Sequence, residues 1–448
     1  MTTVRFPPDF LWGAATSAYQ IEGAADIDGR SPSIWDTFSR VPGKVHDGDT
    51  GDVACDHYHR WPDDLDLMKG LGLGAYRFSI AWPRVVPDGV GTVNREGLDF
   101  YDRLVDGLLE RGIVPLPTLY HWDLPQVLDD RGGWADRATA EAFAAYAGAV
   151  VERLGDRVRT WTTFNEPFCT AILGHFHGMH APGRHSLPEA LAAGHHVLVA
   201  HALGVDAIRA ARSDAEVGIV LNFTPQRPAS DDPDDVAAAE LSDAIENRWY
   251  LDPLAGRGYP QEAAGRLGWD MTEVLDGDLE RIARPIDFLG VNYYTRQQVT
   301  TGDLHGQAWY QGVDPVDPVT DIGWAIHPPS FTELLLRVHE ALPDARIYIT
   351  ENGAAYNEGP KETGEVDDAR RIDYLRGHIG AVHDAMAAGV PVAGYLVWTF
   401  LDNFEWSYGY EMRFGIVHVD YATQARTLKA SARWFGEVAR SRSLVRST

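Results

Sequence analysis

Eight stretches of this chain are apolar, β-branched runs of strand length, and patterns of helical period separate them. The runs are FLWGAATSAYQ from Phe10, AYRFSIAW from Ala75, VPLPTLYHW from Val114, TWTTFNEP from Thr160, EVGIVLNF from Glu216, DFLGVNYY from Asp287, IYITENG from Ile347 and VAGYLVWTF from Val392. Most are continuously apolar rather than alternating, which predicts strands covered on both faces. Between them, NREGLDFYDRLVDGLLERG from Asn94 places Leu98, Tyr101, Leu104, Val105 and Leu108 three and four apart and stops at Gly112. ATAEAFAAYAGAVVERLG from Ala138 does the same and stops at Gly155, and FTELLLRVHEAL and RRIDYLRGHIGAVHDAMAAG serve the later strands. Strands alternating with helices predict a parallel sheet with crossover helices, and eight such units predict an α/β fold, a closed (β/α)8 TIM barrel. We expect one catalytic barrel domain over residues 1–448. The length beyond about 250 residues belongs in βα-loops, the longest at 231–259 and 296–330.

In such a barrel the C-terminal strand ends carry the chemistry. The fourth run ends in Asn165-Glu166-Pro167, and proline cannot continue a ladder. Glu166 therefore sits on the lip of the sheet. The seventh run ends the same way, in Glu351-Asn352-Gly353. Strands four and seven lie three apart in a ring of eight, so the two glutamates face each other across the mouth. Two such carboxyls are what glycosidic cleavage uses: one protonates the leaving oxygen, the other attacks the anomeric carbon or activates a water. Arg77 lies inside the second run, where an unpaired guanidinium is costly, and a carboxylate partner would resolve that cost. His121 and Trp122 end the third run, Asn292 and Tyr294 the sixth, and Trp398 the eighth, with Glu405 and Trp406 just beyond.

Composition narrows the partners. The formal net charge of −26 works against nucleic acid and anionic membranes. Only four lysines occur, with much Ala, Gly and Arg, as in products of GC-rich bacterial genomes. The two cysteines, Cys55 and Cys169, make neither a disulfide framework nor a metal-ligand spacing. No basic segment followed by an apolar stretch opens the sequence, and no run approaches 18 apolar residues, so a cytoplasmic protein is expected. His175, His177 and His180, with His185 beyond, have a spacing permissive for zinc. No Cys or carboxylate cluster accompanies them, and we expect no metal and no cofactor.

With FLWGAATSAYQIEG, YRFSIAWPRV, LYHWDLPQ, TFNEP, GVNYYT, ITENG and YLVWTFLDNFEWSYGY in this order, nearly the whole chain resembles family 1 glycoside hydrolases, most of all bacterial β-glucosidases. The resemblance implies a retaining double displacement with Glu351 as nucleophile and Glu166 as acid and then base, the carboxyls about 5–5.5 Å apart. It implies that Arg77 and Tyr294 keep Glu351 anionic, with Asn292 in support. It implies sugar contacts from Gln20, His121, Trp122, Asn165, Glu405, Trp406 and Phe414, a flat floor from Trp398 followed by a cis peptide, and an aglycone contact from Trp324. The substrates it implies are small β-glucosides and cello-oligosaccharides, with tolerance for β-galactosides and β-fucosides; it leaves room for a homo-oligomer. Members that act on phosphorylated sugars carry small polar and basic residues after strand eight. Here the segment is Glu405-Trp406-Ser407, and a carboxylate about 4 Å from a phosphate repels it by roughly 4 kcal/mol per charge pair at an effective dielectric of 20. Phe168 and His175 depart from the family's usual Trp and Tyr, which bears on the entrance. The same residues also serve a transglycosylase, and a sugar-binding protein without turnover is the remaining alternative.

Overall fold

The computed structural model describes residues 2–304 and 307–446. Eight parallel strands close a barrel in the order of the chain: β1 (Leu11–Ala15), β2 (Ala75–Ser79), β3 (Val114–Tyr120), β4 (Thr160–Asn165), β5 (Glu216–Phe223), β6 (Phe288–Tyr293), β7 (Arg346–Asn352) and β8 (Val392–Trp398). β8 closes the ring on β1, with Trp398 paired to Ala15. All eight expected strands are present. The first expected run is too long, because after β1 the residues Ala18–Ile21 turn into one short helical turn.

Helices cover the barrel. They include α1 (His57–Leu71), α2 (Arg95–Glu110), α3 (Ala138–Leu154), α4 (Leu187–Ala211), α5 (Pro233–Asp243), α6 (Pro328–Ala341), α7 (Ala369–Ala387) and α8 (Ala430–Ser441). α2 buries Leu98, Tyr101, Leu104, Val105 and Leu108, the stripe its period predicts. α4 corrects the expectation about apolar stretches. Its 25 residues are long and apolar enough to cross a membrane by composition, but 83% of the most apolar window is buried inside the protein. It packs along α3 as a core helix. One core cluster runs from Phe6 to Leu444, and the antiparallel terminal strands Thr2–Arg5 and Ser443–Arg446 pair with each other.

The two long insertions are not bare loops. Residues 231–259 contain α5, a wide π-helical turn at Ala244–Arg248 and the helix Trp249–Leu254. Residues 296–330 contain the hairpin Gln297–Leu304/Gln307–Gly312, which joins Gln226–Pro228 in a small sheet over the barrel mouth. At the other side of the mouth Gly353 lets β7 and β8 close up: a Cβ there would run into the Trp398 carbonyl oxygen.

Candidate active site

The strand ends bring the predicted side chains together through buried polar contacts. Glu351 is next to last in β7, where the ladder to β6 shifts register and pairs it with Asn292. Its Oε1 accepts from Arg77 Nη1 at 2.5 Å and its Oε2 from the Tyr294 hydroxyl at 2.5 Å. Arg77 donates through Nε to Thr118 at 3.1 Å and through Nη2 to Asn165 Oδ1 at 2.7 Å. The partner expected for this buried guanidinium is therefore the β7 glutamate, with further acceptors on β3 and β4.

Glu166 follows the last residue of β4. Its backbone is in the left-handed region at φ 49°, and its N–H donates to Val220 of β5 at 2.9 Å. A non-glycine residue rarely adopts that conformation, and such strain gathers at functional sites. Asn292 holds the side chain: its Nδ2 donates to Glu166 Oε1 at 2.7 Å and to Asn165 Oδ1 at 3.0 Å, while its own Oδ1 accepts from Thr350 at 2.6 Å. One connected chain of contacts thus runs Glu351, Arg77, Asn165, Asn292, Glu166. The other oxygen of Glu166 faces the Cys169 thiol at 3.0 Å.

The two carboxyls have unequal surroundings. Burial, then the charge of Glu351, pushes Glu166 up to about 7. Burial raises Glu351 as well, but the guanidinium of Arg77 and the hydroxyl of Tyr294 oppose it. Among the described residues no cation is in hydrogen-bonding contact with Glu166, so of the two groups Glu351 gives up its proton first.

Around the pair is a cavity of about 470 Å³. His121, Trp122, Trp398, Glu405, Trp406, Tyr294, Trp324 and Phe414 are in its wall. The His121 ring stacks on Trp398 at 5.9 Å and on Trp406 at 5.9 Å. Burial and the nearby Arg77 keep His121 far below its usual range, so it is neutral. Its Nε2 faces Asn165 Nδ2 at 3.1 Å, and an amide nitrogen can only donate. The ring proton then belongs on Nδ1, a buried donor with no partner among the described residues. Trp324 and Phe414 flank Tyr294 at 5.3 and 6.0 Å. The peptide between Trp398 and Thr399 is cis. Two further residues expected at the sugar are held by polar contacts. Asn165 is buried in the contact chain, and buried Gln20 accepts from Ser17 and donates to Asn403, Phe404 and, at 3.5 Å, Glu405.

The model of the Glycosyl hydrolase family 1 matches residues 2–444. This chain belongs to glycosyl hydrolase family 1. A beta-glucosidase of an Agrobacterium species is 49% identical over 438 residues, 97% of this chain and 95% of that protein. A bifunctional beta-D-glucosidase/beta-D-fucosidase of Bifidobacterium breve is 45% identical over 458 residues, 97% and 98% of the two chains. The solved family 1 β-glucosidase of Thermotoga maritima superposes with a TM-score of 0.95 at 45% identity, covering 98% of this chain and 99% of that one.

In this family 1 chain the unusual Phe168 lies in the cavity wall, whereas His175 is buried away from it and bonded to the Thr170 carbonyl at 2.8 Å. His180 packs against Trp35, Trp122 and Trp406. Among the described residues no three His, Cys, Asp or Glu side chains are grouped to hold a metal. Sequence reasoning missed Cys169 and Glu246. Cys169 carried a findable signal, since it sits three residues after Glu166. Glu246 lies in the π-helical turn of an insertion, where no period marks it; Gln226 and Ser242 bond it, and burial pushes it up to about 7.

The raised carboxyl sets a pH limb. With Glu166 in the acid role that the resemblance implies, it must carry its proton, so kcat/KM on an unactivated β-glycoside is expected to fall about tenfold per pH unit above about pH 7. A profile measured from pH 4 to 9 checks this. A rate still rising at pH 9 would remove Glu166 as the acid.

Proposed function

We propose that this chain is a retaining β-glucosidase. It removes terminal β-D-glucosyl residues from β-glucosides and cello-oligosaccharides and tolerates β-galactosides and β-fucosides. The observation that carries the reading is the unequal carboxyl pair. Glu351, paired with Arg77 and Tyr294, is the group suited to attack the anomeric carbon as an anion. Glu166, held near neutrality by burial, is suited to protonate the departing oxygen. Once Glu351 is esterified its charge is gone, and with it one cause of Glu166's raised value. Glu166 then becomes the base that takes a proton from water, so one residue serves both steps.

The wall supports a neutral sugar as the occupant. Trp398 and Trp406 offer flat apolar faces, His121 a donor unpartnered among the described residues, and Glu405, pushed up to about 8, a carboxyl that can both donate and accept. The names borne by the Agrobacterium and Bifidobacterium relatives support glucosides, and the second supports fucosides. The test is the anomer of the first product. Proton NMR during rapid hydrolysis of an aryl β-glucoside is expected to detect β-glucose before mutarotation. Initial α-glucose would mean direct attack by water and would overturn the reading.

A further inference from the structure

The two oxygens of Glu166 have different neighbours. Oε1 is taken by Asn292, which is itself fixed by Thr350 and Asn165. An amide N–H cannot accept a proton, so when Glu166 is protonated its hydrogen belongs on Oε2. What faces Oε2 is Sγ of Cys169 at 3.0 Å. The backbone fixes this pair as well, since the Cys169 N–H donates to the Glu166 carbonyl at 3.0 Å. Cys169 is in the cavity wall beside Glu166. Burial and the adjacent carboxylate hold the thiol well above its usual range, so it stays S–H.

We propose that Cys169 is a positioning residue for proton transfer: its thiol donates to Oε2 of ionised Glu166 and yields that oxygen to the glycosidic oxygen when Glu166 carries the proton. The inference rests on Glu166 being the acid/base residue. The choice of sulfur follows from strength. An S–H is a weak donor and a sulfur a weak acceptor. A serine hydroxyl in its place would steady the anion more and compete for the acid's proton. An alanine would leave Oε2 of the buried anion without a donor. The thiol lies between, steadying the base that deprotonates water without retaining the proton that the leaving group needs. The other titratable groups facing this pair are Glu351 on β7, Arg77 on β2, Tyr294 just after β6, Glu405 after β8 and Tyr250 beyond the thiol, and all are unchanged in the variants below.

The experiment is the alkaline limb of kcat/KM, measured on an unactivated β-glucoside for Cys169→Ala and Cys169→Ser. Loss of a weak S–H donor is expected to move the limb up by about half a pH unit in the alanine variant. The serine variant is expected to move it down. A limb unmoved in both variants, while Glu166→Gln loses turnover of the unactivated β-glucoside but still releases the aglycone of an activated aryl glycoside, overturns the role of Cys169 alone. A limb that survives Glu166→Gln overturns the assignment of Glu166 instead. The wild-type protein gives a second readout that needs no cysteine variant. The infrared S–H stretch of Cys169 is expected to shift to lower frequency as pH is raised through 7 and to stay fixed in Glu166→Gln. Cys55, whose thiol donates to the Asp402 carbonyl at 3.0 Å, is the internal reference. A Cys169 band that does not follow Glu166 overturns the proposal.

Discussion

Glu351→Gly is expected to lower turnover of an aryl β-glucoside on the order of 10⁵-fold, and added azide to restore it with the α-glycosyl azide as product. On the proposed roles Glu351 is the covalent nucleophile, and removing it deletes the whole first step rather than weakening it, which is why the loss is of this size. The glycine leaves room on the face that the carboxylate occupied. Azide placed there displaces the aglycone in a single inversion, with Glu166 still intact to protonate it. Glu166→Ala is expected to behave oppositely. With a leaving group that needs no proton, the ester on Glu351 still forms, and azide then attacks from the side of the missing acid, giving the β-azide. Gas or liquid chromatography against both authentic azides reads the outcome. The same anomer from both variants would contradict the division of roles.

Glucose 6-phosphate glycosides are expected to be rejected on the order of 10³-fold in kcat/KM against the unphosphorylated glycosides. The structure changes the reason. In the sequence Glu405 reads as a fixed negative charge opposing the phosphate. In the folded protein, burial and the charges of Glu351 and Glu166 push Glu405 up to about 8, so it is largely protonated at neutral pH. What rejects the phosphate is the lack of a cation to receive it. Among the described residues Arg296 is the one lysine or arginine in the cavity wall, and it is bonded to Asp317 at 2.8 Å. Leaving a buried charge uncompensated costs about 3–5 kcal/mol. Steady-state kinetics on a matched pair of aryl glycosides settles this, and a preference for the phosphate would sink it. Raising the pH past 8 ionises Glu405 and is expected to widen the gap.

The parts legible in the sequence are those where a local pattern and the fold agree. Eight apolar runs became eight strands, and both glutamates stood where runs stop. Arg77 was legible by cost, because a guanidinium inside a strand demands a partner. The rest depended on contacts distant in sequence. α4 has no polar stripe to reveal it, since 16 of its residues are buried. The hairpin over the mouth and the pairing of the terminal strands come from short segments whose partners no period announces. The bonds of Gln20 to Phe404 and Glu405 depend on the chain segment that follows β8. The upward shift of Glu405 needs three carboxyls in one cavity, and their spacing exists only after folding.

Trp122, Glu166 and Trp406 all have left-handed backbones, at φ 75°, 49° and 52°, and all three are in the cavity wall. A left-handed backbone costs each of them roughly 1–3 kcal/mol that glycine would avoid, so the remainder of the barrel holds the mouth against its own local preference. At Trp122 and Trp406 the packing of a buried ring outweighs that cost, because truncating a buried tryptophan costs about 3–5 kcal/mol, whereas Glu166 is a buried carboxyl with no such packing to lose. Thermal robustness and the proposed catalysis are therefore opposed at Glu166, and a laboratory lineage selected only for resistance to heat would drift to glycine there and arrive at a sturdier, silent barrel. Improving this protein's endurance without that loss means directing changes to the helices and the outer loops, and scoring every round on turnover.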